Sequence, residues 1–231
     1  MADKKEKIAA IIPTHNEEKS VGNVLKTIID SGCFDEIIVV DGASTDNTVR
    51  ECRKPGVMVV QLAKKGGKGI DMKKGLGKTK ADIIVFFDAD IIGLKKEHIK
   101  DLIIPVAENG AIMSVGVRER IWNLPWLIIK LDFLLALGGE RAMRREIFES
   151  LPDELIEGFA VESALNYYCL VNKMPIKYVN LKGIRIIIKE KKWGIVKGFI
   201  SRICEIYDIV RARFLLRLWK NKLIKAQYNN V

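Results

Sequence analysis

IAAIIPTHNEEKSVGNVLKTIIDSGCFDEIIVVDGASTDNT, residues 8–48, reads as strand, polar loop, helix, strand, polar loop. The first apolar run, Ile8–Ile12, and the second, Ile37–Val40, are short, rich in β-branched residues and do not alternate with polar ones. That pattern suits strands buried on both faces. Between them Val21, Val24, Leu25, Ile28 and Ile29 recur at helical spacing, with Gly32 as a stop. Working outward, Val57–Leu62 and Ile83–Phe87 repeat the strand pattern. Thr45 to Arg53 and Ile70 to Lys80 read as helices between strands. Strand–helix alternation of this kind predicts an α/β fold, a mostly parallel sheet flanked by helices. Ligands of such sheets bind beyond the carboxyl ends of the strands.

Further along, Lys95–Asn109 reads as a helix, Ala111–Val117 as a strand and Glu162–Val171 as a helix. Ile176–Leu181 and Ile184–Ile188 then read as strands. Residues 1–189 are expected to form one catalytic domain, and residues 190–231 a basic amphipathic helical extension. From Lys189 to Lys225 eleven Lys and Arg stand against three acidic residues. They are interleaved with Ile195, Phe199, Ile203 and Ile206, then Val210, Phe214 and Leu218, at helical spacing. Such a helix fits an anionic membrane surface, a stripe packed on the domain, or a homodimer contact. The net charge of +10 likewise favours anionic partners. The four cysteines lie far apart, without metal-ligand spacing, and read as free thiols of a reducing compartment. No apolar run reaches the roughly 18 residues that span a bilayer, so a cytoplasmic protein is expected, in part at the membrane's cytoplasmic face.

The four strand ends carry the chemistry. After the first stand Pro13, Thr14, His15, Asn16, Glu17 and Glu18; after the second, Asp41 to Asp46; after the third, Gly66-Gly67-Lys68-Gly69; after the fourth, Asp88-Ala89-Asp90. A base and ribose present N–H and O–H donors that carboxylates accept. A diphosphate takes glycine-exposed amides and a lysine. A hard divalent cation takes oxygen ligands, which two carboxylates one residue apart supply. Each motif alone has an ordinary reading as a turn or a helix cap. Four of them on one sheet edge point to a nucleotide site.

These residues resemble the family 2 type of glycosyltransferase with the GT-A fold, through Ile11 to Glu18, Asp41 to Thr48 and Phe87 to Asp90. Gly67-Lys68-Gly69, Gly138 to Arg145 and Gly158 to Glu162 are similar to segments of glucosyl-3-phosphoglycerate synthases and polyprenyl-phosphate sugar synthases. The resemblance implies a nucleotide-diphosphate-sugar donor, a Mg²⁺ or Mn²⁺ cofactor, and a hydroxyl or phosphate acceptor, lipid-linked in some members. It implies donor binding by Pro13, Asn16, Glu17, Asp41, Lys68, Gly69, Asp88 and Ala89, and metal binding by Asp88 and Asp90. Glu162 and Asp90 would be catalytic. Gly139, Glu140, Arg141 and Arg144 would hold the acceptor or a phosphate. The glycerate enzymes' late metal-binding histidine has no counterpart here, since the chain has only His15 and His98. His15 reads as a loop-positioning residue and His98 as surface. Glu162 is followed by Ser163 rather than aspartate, which leaves the base, with Glu157 as its alternate, and the stereochemistry open.

Two other readings compete. A sugar nucleotidyltransferase would open with a glycine-rich loop and an arginine, where this chain has Pro13 to Glu17. A nucleic-acid-binding module would suit the charge, yet carboxylates crowd the sheet edge and no recognition motif is present, so no nucleic-acid partner is expected.

Overall fold

The computed structural model describes residues 5–118, 138–156, 160–186 and residue 218. Its first half follows the expected alternation: β1 (Ile8–Thr14), α1 (Val21–Ser31), β2 (Glu36–Asp41), α2 (Thr48–Cys52), β3 (Val57–Gln61), α3 (Lys68–Leu76) and β4 (Ile83–Phe86). Then come β5 (Ile91–Ile92), α4 (Lys96–Ala107), β6 (Met113–Arg118), β7 (Arg141–Arg144), α5 (Arg145–Glu149) and α6 (Ala160–Val171). β8 (Ile176–Leu181) and β9 (Arg185–Ile186) complete the described elements.

Seven strands form one sheet in the order β3-β2-β1-β4-β7-β6-β8. Strands β1 to β4 are parallel, with Ile11 opposite both Ile38 and Phe86. β7 runs antiparallel to β4 and β6 on either side of it. A separate ribbon pairs β5 with β9. Successive residues of β1 enter opposite cores, as expected for a strand covered twice. Ile11 joins Met72, Leu76, Phe86 and Phe148 under α3, α5 and α6. Ile12 joins Leu25, Ile28, Phe87, Ile99 and Leu102 under α1 and α4.

Three local readings are corrected. Arg141 to Arg144 form a central strand, which a segment without β-branched residues did not suggest; Ala142 and Met143 fill both cores instead. His98 is buried, not surface, and its Nδ1 accepts the Lys95 N–H at 3.3 Å as part of a helix cap. Lys68 is not in a loop but opens α3, two residues before the expected start. Cys52 and Cys169 are buried free thiols, and burial pushes them up to about 12 and about 11. Among the described residues no helix is long and apolar enough to cross a membrane. The 190–231 extension, Arg118–Leu137 beyond Arg118, Glu157 and the residues after Ile186 lie outside the description. The exception is Leu218, which is helical and 46% exposed.

Gly75 sets how closely α3 lies on the sheet. A Cβ there would sit 2.5 Å from Ile11 Cγ2 and 3.1 Å from Val40 Cγ2. Gly75→Ala is expected to destabilise the protein by about 1–3 kcal/mol through overpacking. Gly77→Ala, whose nearest neighbour would lie at 3.5 Å with φ −67°, is expected to be neutral or stabilising. Urea denaturation of the two variants reads the difference.

Candidate active site

The loops after β1 and β2 are laced into one surface at the carboxyl edge of the sheet. Asn16 takes φ 57°, which turns its amide toward the second loop. Its N–H donates to Ser44 Oγ at 2.9 Å, and its Oδ1 accepts the Thr45 N–H at 2.8 Å. The Glu17 N–H donates to Thr48 Oγ1 at 2.7 Å, and Glu18 Oε2 accepts the Asn47 N–H at 3.0 Å. His15 Nδ1 lies 2.8 Å from the Gly42 carbonyl, the loop-positioning role expected of it. Asp41, 1% exposed, accepts the Ser44 hydroxyl and N–H at 2.5 and 3.1 Å. Side chains of these loops thus replace a sheet ladder with a stiff polar brace.

Lys68 is the centre of the edge. Its ammonium bonds the Asp88 carboxylate and, at 2.5 Å, Glu162 Oε1. The three side chains are 17%, 20% and 9% exposed. Burial alone would lower the pKa of Lys68, but the Asp88 and Glu162 charges outweigh it and hold the pKa above the ordinary lysine value. Gly139 makes room for this group, since a Cβ there would meet the Asp88 carboxylate at 2.2 Å. Behind Glu162, the wholly buried Arg141 lies 3.9 Å from its Oε2 and donates to its backbone carbonyl at 3.3 Å. Arg141 also donates to the Gly138 carbonyl at 2.8 Å and approaches Asn166 Oδ1 at 3.4 Å.

The structure therefore brings together Lys68, Asp88, Gly139 and Glu162, with Ala89 and Asp90 following Asp88, Pro13 and Asp41 at the ends of β1 and β2, and Asn16 and Glu17 on the loop after β1. Four of the expected residues are placed by contacts within the protein. Gly69 faces the protein, because a Cβ there would fall 1.7 Å from the Ile156 carbonyl oxygen. It lets α3 pack against the 153–156 turn. Arg141 and Glu140 have no exposed surface, so Arg141 braces the site from within instead of gripping a phosphate. Arg144 pairs across from Ile83, at the opposite end of β4 from Asp88, and bonds Glu6 and the Val106 carbonyl. Among the described residues no three His, Cys, Asp or Glu side chains gather as a group that could hold a metal ion.

Comparison with known proteins gives the family and the fold. The family model for glycosyl transferase family 2 matches residues 9–158. A glucosyl-3-phosphoglycerate synthase of Mycolicibacterium smegmatis is 33% identical over 77% of this chain and 69% of its own length. A 4,4'-diaponeurosporenoate glycosyltransferase of Staphylococcus aureus is 35% identical, but over only 42% of this chain and 27% of its own length. The crystal structure of Mycobacterium tuberculosis glucosyl-3-phosphoglycerate synthase with Mn²⁺, UDP and phosphoglyceric acid superposes with a TM-score of 0.69. It is 26% identical, covering 86% of this chain and 78% of that one.

One carboxyl at this edge escaped the sequence reading. Asp71, in the first turn of α3, is 4% exposed, and its Oδ1 is buried without a hydrogen-bond partner. Burial, then the nearby Asp41 charge, pushes it up to about 6, against a smaller opposing pull from Lys65. The helical spacing from Lys68 to Asp71, Met72 and Gly75 was the available signal, since it sets Asp71 beside the inward-facing stripe. The raised value has a sign for stability. The folded state holds this proton more tightly than the unfolded chain. The stability linked to it is complete below the ordinary carboxyl value of 3.8 and is lost as pH rises through about 6. Asp71→Asn is therefore expected to raise stability at pH 8 by about 2–3 kcal/mol and to change little near pH 4. Denaturation curves of both proteins at the two pH values check this.

Proposed function

This chain belongs to glycosyl transferase family 2, and from that premise we propose that it moves a hexose from a uridine-diphosphate sugar to a phosphorylated hydroxy acid, with Mn²⁺ or Mg²⁺. The observation that carries the reading is the Lys68–Asp88–Glu162 group at the carboxyl edge of the sheet. It stands in a chain related to a synthase whose solved structure contains Mn²⁺, UDP and phosphoglyceric acid.

The residues fit a hard divalent cation. Asp88 already faces a cationic ammonium, Gly139 leaves its carboxylate clear, and Asp90 is a second, partly buried oxygen donor two residues on. Asp88 and Asp90 would hold the ion, with phosphate oxygens and water filling its shell; bound there, it would offset charge on the leaving diphosphate. This chain's own part is positional and electrostatic. The β1 and β2 loops, pinned by Asn16, Ser44 and Thr48, hold the nucleoside. Lys68 leaves its carboxylates for the diphosphate and stabilises the charge that grows as the anomeric C–O bond breaks. Glu162, freed from that ammonium but still braced by Arg141, is left to accept a hydroxyl of the sugar or acceptor.

A second reading, a lipid-linked acceptor at an anionic membrane, draws on the partial likeness to the diaponeurosporenoate enzyme and on the basic composition of residues 190–231. Co-sedimentation with anionic vesicles, of the full chain and of one ending at Lys189, separates the two acceptor classes. Binding that needs the extension favours the lipid.

With UDP-glucose, 3-phosphoglycerate and Mn²⁺, mass spectrometry is expected to detect a hexosyl-phosphoglycerate. Asp88→Ala and Asp90→Ala are expected to abolish it, as is excess chelator. Lys68→Ala is expected to weaken UDP binding by about 1–3 kcal/mol in calorimetry, the range for a charged hydrogen bond. Full turnover in both aspartate variants would remove the metal from the account.

A further inference from the structure

The outer side of α3 and its two ends carry charge of one sign. Lys64 and Lys65 precede the helix, Lys73 and Lys74 stand in its last turn, and Lys78 and Lys80 follow it; all six are exposed. The one acidic residue of this stretch, Asp71, is buried. Lys73 reaches Asp153 at 2.5 Å, and the other five form no ion pair among the described residues. The other outward-facing helices mix their charges: Lys26 with Asp30 on α1, Arg50 with Glu51 on α2, Lys100 with Asp101 on α4, Arg145 with Glu149 on α5. Like charges gathered on one side repel one another, and the negative end of the helix dipole offsets only those of the last turn. Beside them, Met58 of the edge strand β3 is exposed. Strand alternation puts it on the same side of the sheet as Val60, which packs in the core beneath α3.

We infer that the outer side of α3, with Met58 at its margin, docks on an anionic lipid surface. Each lysine near such a bilayer strengthens binding about fivefold. Lysine suits this partner, since its flexible stem lies along apolar surface while the ammonium reaches a headgroup phosphate. A nucleic-acid face draws on arginine forks and stacking aromatics, and residues 64–80 contain neither. The exposed thioether of Met58 fits the boundary between headgroups and acyl chains. This surface is distinct from the 190–231 extension, and it uses no residue of the proposed reaction. Lys68, which opens the same helix, turns instead to Asp88 and Glu162. A helix is about 10 Å thick, so docking through α3 would hold the site about that close to the headgroups.

Flotation of the full chain with phosphatidylcholine vesicles, with and without phosphatidylglycerol, tests this. Wild type is expected to bind only the anionic vesicles and to be released as salt screens the charges. Lys74→Gln, Lys78→Gln and Lys80→Gln together are expected to lower the partition coefficient at least about tenfold. A control carrying Lys26→Gln, Arg53→Gln and Lys96→Gln removes as many exposed charges from α1, α2's end and α4, across the sheet. It is expected to lower binding less than about threefold. Both variants are expected to melt with wild type, because every changed side chain is exposed. The inference is overturned if the α3 variant binds as wild type does, which would give the binding to another surface, or if both variants lose equally, which would reduce it to net charge. Tighter binding to duplex RNA than to vesicles at equal phosphate concentration also overturns it. A wild type that binds no anionic vesicle overturns it while leaving the glycosyl-transfer reading intact.

Discussion

A lysine held between two carboxylates is the constraint on which this site depends. Lys68 stands at the first position of α3, Asp88 just past β4, and Glu162 in the first turn of α6, so one ammonium ties together three elements far apart in sequence. Removing one partner from such a group leaves an uncompensated charge, which is why breaking a buried pair costs about 3–5 kcal/mol. The surrounding sequence protects the arrangement. Gly69 lets α3 approach the Ile156 carbonyl, Gly139 clears the Asp88 carboxylate, and Arg141 backs Glu162 from the core. In the empty site the lysine neutralises the carboxylates that a donor and its cation would otherwise engage. In the proposed reaction the same charges would serve stability before binding and leaving-group chemistry during it.

How much of this was legible in the chain follows from which forces act locally. The four parallel strands announced themselves because burial on both faces demands unbroken apolar runs, and Ile8–Ile12 or Ile83–Phe87 have no other use. The loops at their ends could be ranked as chemical because carboxylates, glycines and a lysine recur where such sheets bind ligands. β7 was illegible for the opposite reason. Arg141 and Arg144 look solvated in sequence, and only tertiary contacts with Gly138, Glu162 and Val106 reveal why they are buried or half-buried in a central strand. At Gly69 a small residue beside Lys68 fits a phosphate loop and a tight helix contact equally well; the close approach of Ile156, 1.7 Å from where a Cβ would lie, shows the second, which sequence alone did not suggest. His98 among lysines looked exposed until α4 turned it inward.

Asp71 shows where local reasoning stops. Its charge resembles that of any helix surface residue, and only its direction, toward Gly42 and Asp41, makes it unusual. A buried carboxyl oxygen without a hydrogen-bond partner lowers the stability of the empty fold. Two treatments of buried charge thus stand side by side: Asp88 and Glu162 are neutralised by Lys68, whereas Asp71 Oδ1 is buried without a hydrogen-bond partner.

The central claim is that Lys68 exchanges its carboxylates for the donor's diphosphate while Asp88 turns to a cation. A crystal structure of this chain with Mn²⁺ and UDP, with the metal located by anomalous scattering, tests it most directly. The account predicts an Asp88 oxygen within about 2.0–2.3 Å of the ion and Lys68 Nζ within hydrogen-bond reach of a phosphate oxygen, away from Glu162. A metal bound elsewhere, or a Lys68 still closed on Asp88 and Glu162 with UDP in place, would contradict it.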